Sequence, residues 1–297
     1  MNTRTLAILA AIGATTIYGI NHTIAKGVMP TYVKPFGFIM LRLVGATLLF
    51  WAVSFFVPKE IIEKKDWGRV LICAITGMGI NMLSFFKGLA LSTPINSSVL
   101  ITVSPILVVS LSALLIKEKI TLQKGIGITL GFIGAVTLIL FGAEIRQDAP
   151  NIPLGNLLFI VNAVSYGIYL ILVKKLLNKY HPFTLMKWLF LIGTILCSPI
   201  TVPEFLEVKW ATMPKSAVGG VVFVIVCTTF LTYLFNIFAL TKLKASTVSS
   251  FVYLQPIIGI LFAVLAGKDH IDTLKIVATL LIMLGVYLVS KKPIPNP

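Results

Sequence analysis

Long apolar runs alternate with short polar gaps along the whole chain, and ten of the runs reach the roughly 20 residues that a helix needs to cross a bilayer. They lie near 5–26, 36–57, 68–90, 95–116, 122–142, 154–174, 183–203, 217–239, 247–266 and 273–290. The gaps carry turn chemistry: Pro30 and Pro35, Pro58, Thr93-Pro94, Lys117 to Thr121, Pro150 and Pro153, Pro182 and Pro214. The first run has small residues, Ala10-Ala11 and Gly13-Ala14, as a secretory leader would, but it is too long for a leader's apolar core. We read it as a retained first helix. The expected fold is therefore an all-α polytopic membrane protein with ten transmembrane helices.

One stretch occurs twice. Pro105 to Val136 reads PILVVSLSALLIKEKITLQKGIGITLGFIGAV, and Pro256 to Tyr287 reads PIIGILFAVLAGKDHIDTLKIVATLLIMLGVY. The two keep a proline, a Lys-acid step (Lys117-Glu118, Lys268-Asp269) and a late glycine (Gly134, Gly285) in the same order. Each copy reads as a helical hairpin. Tyr18-Gly19-Ile20 likewise recurs as Tyr166-Gly167-Ile168, with Lys26 against Lys174. The chain thus divides into a first repeat at 5–142, a linker at 143–153 and a second repeat at 154–290. Five spans per repeat is an odd number, so the second repeat crosses in the opposite sense. This 5+5 inverted-topology plan is shared by many secondary transporters, which bind solute near the midplane between the halves.

Composition agrees with a lipid solvent. The chain is 57% hydrophobic and 12% charged, with mean hydropathy +0.98. A soluble domain carries about 25% charged residues. The net charge of +15 does not point to nucleic acid, because the Lys and Arg sit in gaps and form no continuous face. Cys73, Cys197 and Cys227 lie inside apolar runs, in no metal or disulfide spacing. No cofactor is expected. Most gap lysines and arginines fall on the side of the N-terminus, among them Lys59, Lys64, Lys65, Arg69, Lys117, Lys119, Lys124 and Lys179. The positive-inside rule then puts both termini in the cytoplasm, and a bacterial inner (plasma) membrane is the expected location.

These features together resemble the EamA-type transporters of the drug/metabolite transporter superfamily. The stretch FFKGLALSTPINSSVLITVSPILVV, 85–109, is similar to that family's third-to-fourth helix region. Asp269 stands where the family more often has Glu. The resemblance implies small metabolites such as amino acids as substrates, mostly exported. It also implies a central cavity lined by the first, third and fourth helices of each half.

Polar residues inside the runs mark candidate cavity faces. Thr15, Tyr18 and His22 share a face of span one; Asn81, Ser84 and Lys87 step by three in span three. Ser98, Thr102 and Pro105 share a face of span four, and Ser249, Tyr253 and Pro256 repeat it in span nine. Asn162, Tyr166 and Tyr169 do so in span six, and Thr229, Tyr233 and Asn236 in span eight. Such faces meet each other or water rather than lipid. Hydrogen bonding between helices is the plainer reading of any single Ser, Thr or Asn. Pro105 and Pro256 each remove a helical hydrogen bond, which serves a hinge or a static kink. Gly127, Gly131 and Gly134 suit close helix packing, or else a dimer face; a monomer or weak homodimer is expected. Glu118 and Asp269 are placed to cap the helix that follows each.

Three ionisable residues lie within spans: His22, Arg42 and Lys87. Arg42 and Lys87 are both in the outer half, and two readings stay open for them. Either they snorkel to the surface, or they attract the carboxylate of a substrate whose remainder meets Tyr169, Tyr233, Asn236 and Tyr253. His22 is a cavity contact or a packing residue. No Asp or Glu lies deep in a span, so a facilitator or exchanger is favoured over a strongly ion-coupled pump. A lipid or amphiphile flippase of the same fold is the alternative. A membrane-embedded enzyme is not expected, for lack of a nucleophile–base pair, paired acids or HExxH. The partners expected are a small-molecule solute and the lipid bilayer.

The charge pattern makes a topological prediction. In single-cysteine variants of intact cells, an impermeant thiol reagent should label positions 31 and 212 but not 64. Labelling at 64 alone would reverse the orientation.

Overall fold

The computed structural model describes residues 3–57, 59–104, 106–107, 110, 121–141, 147–242, 251 and 254–290. In chain order its helices are α1 (Thr3–Val28), α2 (Pro35–Ser54), α3, α4 (Pro94–Ile101), α5 (Leu122–Phe141), α6 (Ile152–Leu177), α7 (Pro182–Leu206), α8, α9 (Leu254–Leu265) and α10 (Thr273–Ser290). The third runs through Trp67–Ala74, a π-helical segment Ile75–Ile80 and Asn81–Leu91. The eighth runs through Lys215–Val222, a π-helical segment Phe223–Leu231 and Thr232–Lys242. Seven helical runs among the described residues are long and apolar enough to cross a membrane, and α9 and α10 are shorter apolar helices. Spans four and nine are described only in part. Pro105, Ser249, Tyr253 and Glu118 lie outside the described residues, and Pro256 is the third residue of α9 as described.

Local sequence accounts for the helix ends. Pro35, Pro94 and Pro182 each stand at a first helical position, where the missing N–H costs nothing. Thr93 caps α4 by accepting from the Asn96 N–H at 3.2 Å. Gly267, at φ 61°, stops α9 in the left-handed conformation. Its N–H bonds the Val264 carbonyl, and that of Lys268 bonds Ala263, so two otherwise orphaned carbonyls are satisfied. The π segments are what the apolar pattern does not announce. They begin 148 residues apart, at Ile75 and Phe223, the offset that also relates Tyr18 to Tyr166.

Helices at matching places in the two repeats pack on one another: α5 on α10, α2 on α7 and α4 on α9. α1 lies on α8 and α9, while α6 lies on α3 and α4. The α5–α10 contact is backbone on backbone. A Cβ on Gly285 would stand 2.6 Å from the Gly127 carbonyl and 2.7 Å from the Gly131 nitrogen. The glycine stripe of α5 therefore faces a helix of its own chain. Beside the α2–α7 seam an aromatic cluster forms around Phe50. Phe50 of α2 stacks on Phe190 at 5.2 Å and meets Tyr233 edge-on at 5.7 Å.

Gly285→Ala should separate α5 from α10 and destabilise the protein by about 1–3 kcal/mol, the usual range for overpacking. Gly125→Ala, with open space around the new methyl, should not. Thermal unfolding in detergent compares the two; equal midpoints would refute the close approach.

Candidate functional site

Ion pairs and caps tie the loops together at both faces of the bundle. On the side of the 58–67 and 177–182 segments, Lys179 reaches Asp66 at 2.6 Å and Glu63 at 2.7 Å. The Tyr180 hydroxyl donates to Asp66 at 2.7 Å, and the His181 N–H donates to Glu60 at 2.6 Å, capping α7. On the opposite face, Glu204 near the end of α7 accepts from the Phe36 and Gly37 N–H groups at 2.6 and 3.2 Å, capping α2. Lys34 pairs there with Glu207. Between these segments lies a pocket of about 240 Å³, lined among others by Tyr32, Lys34, Glu204 and Glu207. Each clamp thus joins a segment at one end of α2 to a segment at one end of α7.

Two buried ions sit deeper. Lys26 of α1, 7% exposed, donates to the carbonyls of Leu89, Ala90, Ser92 and Asp148 at 2.6–3.1 Å. It closes the C-terminal end of α3, where carbonyls lack helical partners. The Lys26 ammonium, at the end of the first apolar run, is thus inside the protein. Asp269 accepts from the Ile95 N–H at 3.1 Å and from Lys275 at 3.3 Å. It caps α4 of the first repeat, not the helix that follows it, which is capped instead by Asp272 through the Lys275 N–H at 2.7 Å.

Near the middles of their helices, tyrosines from both repeats come within electrostatic reach. Tyr18 of α1 lies within electrostatic reach of Tyr166, Tyr169 and Tyr233, and of Arg42. The rings of Tyr166 and Tyr169 are 5.8 Å apart. Helical rotation sets these residues off the most exposed stripes of their helices. Leu154, Leu157 and Val161 form the exposed stripe of α6, and Tyr166 follows Val161 by five residues, about 140° round the helix. Tyr18 stands about half a turn from exposed Leu9, and Tyr233 about 140° from exposed Phe238. Tyr166 is nevertheless 38% exposed. Gly77 makes room beside it, because a Cβ there would strike the Tyr169 ring at 2.6 Å.

The other candidates divide by partner. Asn81 and Asn162 donate to each other's backbone carbonyls at 3.2 and 2.7 Å, joining α3 to α6. His22 is buried, with Nδ1 2.7 Å from Ser97 Oγ, Nε2 3.4 Å from Gln255 Nε2, and Phe85 edge-on. Ser98 and Thr102 bond back to carbonyls of their own helical turn. Thr229 accepts from Arg42 Nε at 2.8 Å and donates to the Val224 carbonyl. Thr15, Ser84 and Tyr169 are buried, and Asn236 is half-buried beside the tyrosines' face of α8. Lys87 is exposed at the rim, 5.7 Å from the Phe36 ring. Among the described residues no cluster of three metal-ligating side chains occurs.

Several participants were not singled out in advance: Asn21, which accepts from Thr228 at 3.0 Å; Thr232, 3.1 Å from the Tyr18 hydroxyl; Ser97; and Gln255. Asn21 and Gln255 are long amides inside apolar runs, and that signal was present. Ser97 and Thr232 look like any other hydroxyl.

The chain matches the pattern of the EamA-like transporter family twice, over residues 5–140 and 153–291. It belongs to the EamA-like transporter family. A relative in Archaeoglobus fulgidus, named "Uncharacterized transporter", is 28% identical over 93% of this chain and 96% of its own. YyaM of Bacillus subtilis, named in the same way, is 23% identical over 79% of this chain and 76% of its own. A protein of Streptantibioticus cattleyicolor named "Probable terminal-alkyne amino-acid exporter" is 22% identical over 77% and 74%. A solved crystal structure superposes with a TM-score of 0.62 at 18% identity, covering 95% of both chains. This EamA-like chain is thus a multi-pass membrane protein of a transporter family.

The Lys179 clamp carries a pH prediction. Lys179 and then Lys65 hold the Glu63 carboxyl below its usual range, and Asp66 and then Glu63 hold the Lys179 ammonium above its own. A depressed carboxylate stabilises above its ordinary pKa of about 4.3, and that contribution fades as pH falls through the folded value. A raised lysine stabilises below about 10.4, and its contribution fades as pH rises through the folded value. The difference in unfolding temperature between wild type and Lys179→Met should be flat from about pH 5 to 9 and shrink in stronger acid. A difference that grows in acid would show that the pairs do not hold the clamp.

Proposed function

We propose that the protein moves small amphiphilic metabolites, amino acids or related solutes, out of the cell by facilitated transport through a site between two inverted repeats. The observation that supports this reading is the grouping of Tyr18, Tyr166, Tyr169 and Tyr233, from both repeats, within electrostatic reach of one another near the middles of their helices. Midplane sites between repeats are where inverted-repeat transporters bind. Aromatic rings with polar hydroxyls suit a solute that is apolar at one end. The double family match supports the division into repeats at 5–142 and 154–290, and the exporter named in Streptantibioticus supports amino-acid-like cargo. Both termini are then cytoplasmic, in a bacterial inner membrane. The absence of Asp and Glu deep in the spans favours facilitation over tight ion coupling. Direct packing of α5 on α10 and of α2 on α7 supports a solute path over a lateral lipid path.

In proteoliposomes, counterflow over an amino-acid panel should reveal saturable transport. Tyr18→Ala and Tyr166→Ala should each lower it about tenfold, the factor for losing one aromatic contact of about 1.4 kcal/mol, and Tyr18→Phe should lower it less. Scrambling of labelled lipid without solute counterflow would replace this reading by the flippase.

A further inference from the structure

We propose that Arg42 is the anchor for a carboxylate on the transported solute, a specificity residue supplied by α2 rather than by the helices that carry the tyrosines. The proposal rests on the transport reading above and names its substrate class.

The sequence leaves Arg42 and Lys87 equivalent, two cations in the outer half of their spans. The structure separates them. Lys87 is exposed at the rim. Arg42 is half-buried and points inward, across to the π segment of α8, with its Nε on Thr229 Oγ1 at 2.8 Å. Its guanidinium carbon lies 5.6 Å from the Phe86 centroid, and Tyr18 and Tyr233 are within electrostatic reach. On α2 it stands about 120° round from Leu48, which is 66% exposed to lipid.

What surrounds this charge is neutral. Thr229, Phe86, Tyr18 and Tyr233 carry no formal charge, and among the described residues no carboxylate pairs with Arg42. A guanidinium stays protonated under all ordinary conditions and presents five N–H donors. Thr229 takes the one on Nε. The four on the two Nη atoms have no hydrogen-bond partner among the described residues. A cation inside a bilayer without a counter-ion is costly, and the cost falls when an anion arrives. Two Nη groups side by side fit the two oxygens of a carboxylate.

The placement also gives the solute an orientation. Thr229 and Tyr233 are one helical turn apart on α8, so the phenol lies beside the anchored guanidinium. A solute whose carboxylate sits on Arg42 lays its apolar part toward Tyr233, Tyr18 and Tyr166. An amine in place of the carboxylate meets a like charge. Thr229 acts as a positioning residue: its own proton goes to the Val224 carbonyl at 2.9 Å, which turns its lone pairs toward Arg42.

The test is binding to the full-length protein in detergent, read as a shift in unfolding temperature. The probes are L-phenylalanine, its amide, phenylethylamine, L-leucine, leucinamide and inorganic phosphate, each tested against wild type, Arg42→Gln and Arg42→Lys. The acids should stabilise wild type at least tenfold more potently than the amides, and phenylethylamine and phosphate should stabilise it little. Arg42→Gln should erase the preference for the acid, and Arg42→Lys should keep part of it. Equal potency of acid and amide on wild type overturns the anchor. So does a preference that survives in Arg42→Gln, or stabilisation by phosphate equal to that by the amino acids. Counterflow in proteoliposomes separates the two ideas. Transport of amides and amines with no role for Arg42 leaves the transport reading standing and removes the anchor. Binding of acids through Arg42 without transport keeps the anchor and removes the transport reading.

Discussion

Helix ends are the constraint on which this bundle depends. Every helix leaves N–H groups at one end and carbonyls at the other without helical partners, and hydrocarbon cannot supply them. Here the partners come from distant parts of the chain. Lys26 of α1 closes the end of α3, Asp269 closes the start of α4, Glu204 the start of α2 and Glu60 the N-cap of α7. Each carries a full charge against a helix end of opposite polarity, the arrangement the helix dipole favours. Each also ties one segment to another far from it in sequence. Satisfying the ends and holding the repeats together are one act.

That constraint explains what could be read from the chain and what could not. The apolar runs located nearly every helix, because the solvent alone dictates their length and composition. The late glycines Gly134 and Gly285, matched between copies, mark the seam where α5 meets α10. Caps were harder. A lysine at the end of a run, such as Lys26, has the same local sequence whether it faces water or carbonyls. Asp269 sits in a turn that advertises a cap, yet the helix it closes lies some 170 positions earlier in the chain. Nothing local encodes that distance. The candidate site shows the same split. Tyrosine and amide spacing marked candidate faces, but only the packing shows that Asn81 and Asn162 are occupied with each other while Tyr166 keeps exposed surface.

Symmetry gives the central tyrosines their meaning. Tyr18 and Tyr166 stand 148 positions apart, the offset that also relates the two π segments, and they lie within electrostatic reach of each other. Arg42 breaks this pattern. The residue 148 positions on is Phe190, which stacks against Phe50 instead of carrying a charge. The scaffold is duplicated; the charge is not. A solute bound as proposed would meet a different environment from each repeat.

The π segments have a further consequence, in angular phase. Each wider turn holds more residues than an α-turn, so side chains beyond it come round later than a continuous α-helix would bring them. In α3 the part before the segment, Trp67–Ala74, packs on α6 and α7, while Asn81–Leu91 packs on α6 and α2. One helix therefore has two independently set faces, one before and one after the segment. In α8 the same slip sends Thr229 toward α2 and leaves Thr232 and Tyr233 to the next turn. A single substitution before such a segment repacks one face, whereas a one-residue deletion inside it rotates everything beyond by roughly 100°.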